Sequence, residues 1–484
     1  MRLAVTTGNR LFDPSASLLR QEHPTQDKYT GHSVAQKSLE YAIALFETGG
    51  DHERANTIIQ KTMTYQDRDS HSTTYGNFIW MAHWNAVEDL NAVSFMVPNY
   101  AYLWQNHKGK LQAETVRSME DMLPLALRGT MNHRVPASYT NICLLNILSL
   151  LLLSEILNDQ AAFDAAVSNW SEWIEEVSSN GIAEYNSPCY TAVDIYALEG
   201  ILKTSPTQAF RRQAVRMMEY LWIEFCVNYH AGAQCLTGPM SRAYPSDYLS
   251  GSGLSAVLAY QHFGAERKTF DTDGGLTPFV VNFAIHDYVV PDHILEMALE
   301  KACPLTVSGR IPSKGISWTN YLDHNFAVGS QTGHCGPQEI PVFTAYRTKN
   351  ERCTVFFKSE PPATLASSQE ANTILGGFYY PADMDWDRYA DDHTISPEVF
   401  AQLGPEASIS GLMTQGWDPD QCQLELRSFQ DVALVLDSVL VGIKPFMANR
   451  SCVESAGRIL LGKQDGEIRI TWRLGEGPVP RMDT

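Results

Sequence analysis

At 484 residues the chain exceeds the roughly 250–300 residues at which a single hydrophobic core stops growing, so two large domains are expected. Its 36 Lys and Arg against 55 Asp and Glu leave a net charge of −19, which speaks against nucleic acid or a membrane surface as partner, since both call for basic patches. The nine cysteines are scattered and contain no C-x-x-C pair, which excludes a disulfide framework and a thiolate zinc site.

The N-terminal MRLAVTTGNRLFDPS lacks the apolar stretch of a secretory leader, so the expected location is cytoplasmic, or secreted after removal of a leader. From about residue 33 to 300 the apolar residues recur at helical spacing: SVAQKSLEYAIALFETG, DHERANTIIQKTMTYQ, LQAETVRSMEDMLPLALRG and SYTNICLLNILSLLLLSEIL come first. QAAFDAAVSNWSEWIEEVSS, YTAVDIYALEGILKT, PTQAFRRQAVRMMEYLWIEFC and GLSAVLAYQHFG follow. Asp51 and Ser138 are placed to cap the second and fourth helices, Gly49 and Gly50 to end the first, and Ser187 with Pro188 to open another. The run Leu144–Leu157 is interrupted by Asn146, Ser149, Ser154 and Glu155 and is too short for a membrane span, so it is expected as a core helix. Helical hairpins in series with short links predict a helical toroid or solenoid.

After about residue 305 the pattern changes to short alternating or β-branched runs such as CTVFFKS, CQLELRSF and EIRITWRL, separated by turn residues. The expected fold is an N-terminal (α/α) incomplete toroid over residues 1–304, followed by an antiparallel β-sandwich over residues 305–484.

Several stretches carry candidate chemistry. YTNI holds Asn141 in the first turn of an apolar helix, and EYNSPCY holds Asn186 and Tyr190. HAGAQCLTGPMSRAY sets His230 upstream of Arg242 and Tyr244. With WTNYLDHNFAVGSQTG in the strand region, these segments resemble those of the uronate-polysaccharide lyases of the heparinase II/III, alginate lyase and chondroitin lyase type, in which an Asn, a His and a Tyr with a nearby Arg act together. The similarity spans most of the chain, although Met240 stands where relatives carry a polar residue, often His; such a change would alter the substrate set.

The resemblance implies cleavage of a 1,4-linked uronate polymer (glucuronan, alginate or similar) by β-elimination, with an acidic polysaccharide as partner and no cofactor. Asn141 would neutralise the substrate carboxylate, helped by the positive end of its helix. Tyr244 would carry the proton, its phenolate favoured by Arg242, with His230 as an alternative base and Tyr190 as a further catalytic candidate. Asn77, Trp80 and Trp84, in the aromatic and amide-rich stretch Thr73–His107, are expected to bind sugar together with Arg134 and Asn186. Each has an ordinary structural alternative: capping for the Asn residues, core packing for the aromatics, a loop salt bridge for Arg134.

Rival readings remain open at this level. A toroid glycoside hydrolase would need paired carboxylates, for which Asp67, Asp69 and Asp194 are candidates. A non-catalytic carbohydrate-binding protein and a lyase or dehydratase on a small carboxylated metabolite are the others. Asp323, His324 and His334 have a spacing that could hold a structural zinc but more often does not.

Overall fold

The computed structural model describes residues 1–20, 32–244, 247, 253–264, 280–285, 288–336, 338–347, 352–360 and 363–379, and seven strands between Ser396 and Arg473. Residues 245–246 and 248–252 lie outside the described residues. Among the described residues of the first 300 are helices, a three-stranded sheet made by the first three strands and a pair made by the next two: α1 (Arg2–Leu11), β1 (Phe12–Asp13), β2 (Leu18–Arg20), β3 (Ser33–Val34), α2 (Ala35–Glu47), α3 (His52–Met63), α4 (Ala92–His107), α5 (Ala113–Asn132) and α6 (Thr140–Leu157). Then come α7 (Gln160–Asn180), α8 (Tyr190–Lys203), α9 (Gln208–Asn228), β4 (Tyr229–His230), β5 (Cys235–Leu236), α10 (Leu254–Phe263), α11 (Val280–Ala284) and α12 (Asp292–Leu299).

Strands follow, all antiparallel where paired: β6 (Leu305–Ile311), β7 (Ile316–Leu322), β8 (Phe326–Cys335), β9 (Val342–Arg347), β10 (Arg352–Glu360), β11 (Ala363–Glu370) and β12 (Thr373–Tyr379). The last are β13 (Ser396–Gln402), β14 (Trp417–Asp418), β15 (Gln423–Leu426), β16 (Val432–Leu436), β17 (Val439–Ile443), β18 (Gly457–Gln464) and β19 (Glu467–Arg473). The protein is thus a helix-rich N-terminal region followed by a C-terminal antiparallel sheet. The main sheet runs β12-β11-β8-β9-β10-β13-β19-β18-β15-β14, with β7 on β8 and β6 on β7, while β16 and β17 pair with each other.

Two compact units share the chain, and they do not follow its order. One comprises 1–184, 189–223 and 252–294; the other comprises 185–188, 224–251 and 295–484. Segments 185–188 and 224–251, read from sequence as part of the helical region, therefore group with the sheet.

Within the first unit, the inner helices α2, α4, α6 and α8 each pack on the next, α8 packs on α10, and α11 packs back on α2. Gln261 of α10 donates to the Phe283 carbonyl of α11 at 3.1 Å, which links the last two members of this cycle. The reason is compositional: α6 is apolar on every side, and from Thr140 to Ser154 every residue is buried, so it needs neighbours all round. It is long and apolar enough to cross a membrane, yet 83% of it is buried inside the protein, as expected of a core helix. Outside the ring, α3, α5 and α7 keep a solvent face, as their amphipathic sequences require. Glu40 of α2 is fully buried and accepts hydrogen bonds from Gln36 and, at 3.3 Å, from Asn282 of α11. Burial pushes its carboxyl well above the usual carboxylate range, against the opposing pull of Lys37 and of these two hydrogen bonds.

Local capping follows the sequence in one place and departs from it in two. Asp51 accepts the Arg54 N–H at 2.9 Å and caps α3 as expected. Ser138 does not cap α6; Tyr139 holds the N-cap position, and the first-turn N–H of Asn141 goes to Glu184 at 3.1 Å. Helix α8 starts at Tyr190 with Cys189 at its N-cap, two residues beyond Ser187 and Pro188, and the Ser187 hydroxyl donates to the Arg242 carbonyl at 3.4 Å.

The loop from residue 64 to 91 lies on α5 through a glycine contact. Gly76 has φ +89°, and a Cβ there would sit 2.0 Å from the Leu125 carbonyl oxygen. Gly129 faces it from α5 with equally little room. Gly76→Ala is expected to cost about 2–6 kcal/mol, combining left-handed strain with overpacking, and a urea unfolding midpoint will show the loss.

Candidate active site

In the helical unit several polar side chains not singled out from the sequence lie near helix beginnings, together with Asn141. Asn91 stands before α4, Tyr139 before α6, and Glu184 just ahead of α8. Asn91 Nδ2 donates to Tyr139 Oη at 3.3 Å, which ties the start of α4 to the start of α6. Glu184 Oε2 accepts both the backbone N–H of Asn141 at 3.1 Å and its side-chain Nδ2 at 2.6 Å. Glu184 and Asn141 are both buried, so each supplies what the other needs: a tertiary cap for α6 and a partner for the buried amide. Asn141 Oδ1 has no hydrogen-bond partner among the described residues. Tyr190, the first residue of α8, is half-buried.

Asn77, expected to bind sugar, is buried, and its polar atoms serve the backbone. Its Oδ1 accepts from Phe78 N at 2.6 Å and Val93 N at 3.0 Å, and its Nδ2 donates to the Leu90 carbonyl at 2.9 Å. It caps the first turn of α4. Trp80 is half-buried with its ring 4.9 Å from Phe95, Trp84 is half-buried beside His83, and Arg134 is exposed. Asp67 and Asp69, candidates for a hydrolytic pair, organise their own loop: Asp67 accepts from Thr74 at 2.6 Å and from Asp69 N at 3.0 Å, and Asp69 accepts from His71 N at 2.9 Å. Burial would push Asp67 up, but the hydrogen bonds from Ser72, Thr74 and Asp69 outweigh it and hold the group below the usual range, the wrong direction for a catalytic acid. Asp194 is buried within α8.

In the other unit, residues 228–244 are fastened to the sheet by a dense set of bonds. Asn186, with φ 44°, gives its Nδ2 to the carbonyls of Thr237 and Pro239, both at 2.8 Å, and its backbone N–H to Glu224 at 2.9 Å. It clips the Gly-Pro turn in place, so its amide is engaged in structure. Asn320 of β7 donates to Asn228 Oδ1 at 3.0 Å and Thr237 Oγ1 at 3.1 Å, and Gly238, at φ +90°, leaves room for it, since a Cβ would come within 2.8 Å of the Asn320 side chain. Lys301 donates to the carbonyls of Cys226, Val227 and Tyr229 and closes the C-terminus of α9; burial pushes its ammonium down to about 8.

Met240 is buried among Ala233, Cys235, Ala243, Ile340, Phe343, Ala345 and Phe356. Its backbone exchanges hydrogen bonds with Ile340 at 3.0 and 2.9 Å, and Ala243 N donates to the Gln338 carbonyl at 2.8 Å. The methionine that looked like a change of specificity is instead the apolar anchor of the loop. Arg242, held between these bonds, is half-buried with φ 51°, a conformation costing about 1–3 kcal/mol outside glycine that persists only when neighbours impose it.

His230 is buried with both ring nitrogens engaged: Nδ1 accepts from Ala233 N at 2.9 Å, and Nε2 donates to the Asp323 carbonyl at 2.9 Å. Burial lowers its pKa, so the ring is neutral, and it has no lone pair to take a substrate proton. Tyr244 is half-buried and exchanges backbone bonds with Asp247, 2.9 Å from Tyr244 N to Oδ2 and 2.8 Å from Asp247 N to the Tyr244 carbonyl. Among the described residues no group of three His, Cys, Asp or Glu side chains is placed to hold a metal ion, Asp323, His324 and His334 included.

Residues 1–290 match the model of a family described as a domain of unknown function (DUF8769). No curated protein matches the sequence. Among solved structures, the fold is similar to that of a heparan sulfate lyase HepC mutant from Pedobacter heparinus, with 11% identity over 91% of this chain and 89% of that one and a TM-score of 0.32, a likeness too slight to carry an argument.

Two buried carboxyls give the sheet-bound segment a pH dependence. Burial pushes Asp247 up to about 7 and Glu224 up to about 6. Both folded values exceed those of the unfolded chain, so their stabilising contribution is complete near pH 4 and is lost as pH rises through about 6 to 7. The melting temperature should therefore fall between pH 5 and pH 8 by several degrees, and Asp247→Asn with Glu224→Gln should flatten that profile in a calorimetric titration.

Proposed function

Because the chain belongs to the DUF8769 family of unknown function, its activity has to be argued from its own residues, and we propose that it is a polysaccharide lyase cleaving 1,4-linked uronate polymers by β-elimination. The observation that supports this most is the amide of Asn141 in the first turn of α6, oriented by its bond to Glu184. Backbone N–H groups and the positive end of the helix dipole lie there, which suits an anionic substrate despite a net charge of −19. A polyanion does not need a basic surface if its carboxylate meets a local concentration of donors.

In the proposed reaction Asn141 binds the C6 carboxylate of the uronate. One amide hydrogen is committed to Glu184, which orients the group, and the other is offered to the substrate. Charge builds on that carboxylate as the C5 proton leaves, so a preorganised donor is worth most in the transition state. Tyr244 as phenolate, stabilised by the Arg242 guanidinium, takes the C5 proton; the C5–H electrons form the C4=C5 double bond, and the C4–O4 bond breaks. The phenol then returns the proton to the departing O4. His230, with neither ring nitrogen available, positions the segment that carries Arg242 and Tyr244 and leaves the base role to Tyr244. Tyr190, Trp80, Trp84 and Arg134 are proposed as contacts along the polymer, which would be glucuronan, alginate or a related chain. The hydrolase alternative loses support because Asp67 and Asp69 are tied into their own loop.

A screen of glucuronan, alginate and glycosaminoglycans for ultraviolet-absorbing product tests the reaction class, since only elimination creates the conjugated double bond. Tyr244→Phe should remove nearly all turnover while substrate affinity stays within a few-fold; retained turnover would sink the assignment. Asn141→Ala should lower kcat by about 100-fold or more, as expected for loss of one transition-state donor.

A further inference from the structure

We propose that Asn91, His133 and Tyr139 form a pyranose subsite that recognises sugar hydroxyls and not charge. Three helices meet there: Asn91 precedes α4, His133 follows α5 and Tyr139 precedes α6. His133 Nε2 lies 3.0 Å from Asn91 Oδ1, and since an amide oxygen only accepts, the imidazole carries its proton on Nε2. Asn91 Nδ2 donates onward to Tyr139 Oη at 3.3 Å. The direction of every bond in the relay is thereby set.

Among the described residues two groups of the relay stay uncommitted: the second hydrogen of Asn91 Nδ2 and the lone pair of His133 Nδ1. One donor and one acceptor on a braced frame match a ligand that accepts and donates, as a sugar hydroxyl does. A carboxylate only accepts, and it would meet Nδ1 lone pair to lone pair. Burial lowers the His133 pKa, with the Asp89 carboxylate acting the other way, so the ring is neutral at neutral pH. Asp89 also accepts Asn91 N at 2.9 Å, and its negative charge opposes an anion at this spot. Leu90 and Met131, beside the relay in sequence, are 48% and 40% exposed, an uncommon state for large apolar side chains among the described residues. They offer the apolar surface that sugar C–H faces prefer, one and two residues along the chain from Asn91 and His133 of the relay.

The subsite rests on the reading of the protein as acting on carbohydrate, and it extends that reading: the uronate carboxylate belongs to Asn141, and the hydroxyls of a neighbouring ring belong here. Titration calorimetry with cellotetraose and with β-1,4-tetraglucuronate, which share a backbone and differ by the C6 carboxylate, separates the two. The wild-type protein should bind both. His133→Phe and Asn91→Leu should weaken both by about tenfold, the value of one or two lost hydrogen bonds, without changing their ratio. Leu90→Ser and Met131→Ser, at exposed positions where folding is not at risk, should weaken both several-fold. Absence of cellotetraose binding by the wild type, or unchanged affinity in all four variants, overturns the subsite. Ultraviolet product from tetraglucuronate is read separately: product with unchanged variant affinities removes the subsite alone, and affinities lost as expected with no product keep the subsite and remove the lyase reading.

Discussion

A buried carboxylate must be met by donors, and Glu184 is where this requirement organises the helical unit. Its Oε2 takes two hydrogens from Asn141, one from the backbone and one from the side chain. The start of α6, an apolar helix with no side-chain cap of its own, is thereby closed by a residue that lies just ahead of α8. Removing either partner would leave a buried polar group unpaired, a loss of about 1–3 kcal/mol or more. The same bond that completes the helix fixes the amide proposed to face the substrate, so stability and positioning are one interaction.

The sheet-bound segment is governed by a different constraint, the need to hold a loop of irregular backbone in one shape. Residues 228–244 contain Gln234 and Arg242 at positive φ, and Gly238 as well. Such a path is not self-supporting. Asn186, Asn320, His230 and Lys301 each give side-chain bonds to its backbone or side chains, and Met240 inserts into the apolar cluster around Phe343 and Phe356. Tyr244 and Arg242 are therefore carried by a braced loop, which is what the proton transfer proposed for them requires. Several side chains with catalytic chemistry in their repertoire serve as braces instead.

The acidity of the chain ceases to be an objection once the helix beginnings are considered. Net charge is a property of the whole surface, whereas a ligand's carboxylate responds to donors within a few ångströms. Asn141 contributes a neutral donor there, and the carboxylate of Glu184 is hydrogen-bonded to the backbone N–H and the amide of Asn141.

Apolar spacing and composition alone determined the helical and strand regions, the change of texture near residue 305 and the core-helix character of the run Leu144–Leu157, because they are local information. Asp51 was legible as a cap for the same reason. Only the tertiary structure decided that Glu184 and not Ser138 closes α6, that Asn77 and Asn186 bond backbone, that His230 has no free nitrogen, and that Met240 is core. It also decided that residues 185–188 and 224–251 group with the sheet, since a compact unit is defined by contacts and not by order along the chain. In each case the residue type permits several partners, and at least one partner that wins comes from a segment a dozen or more residues away. A buried hydrogen bond is chosen by what the fold brings within about 3 Å, which no short stretch of sequence contains.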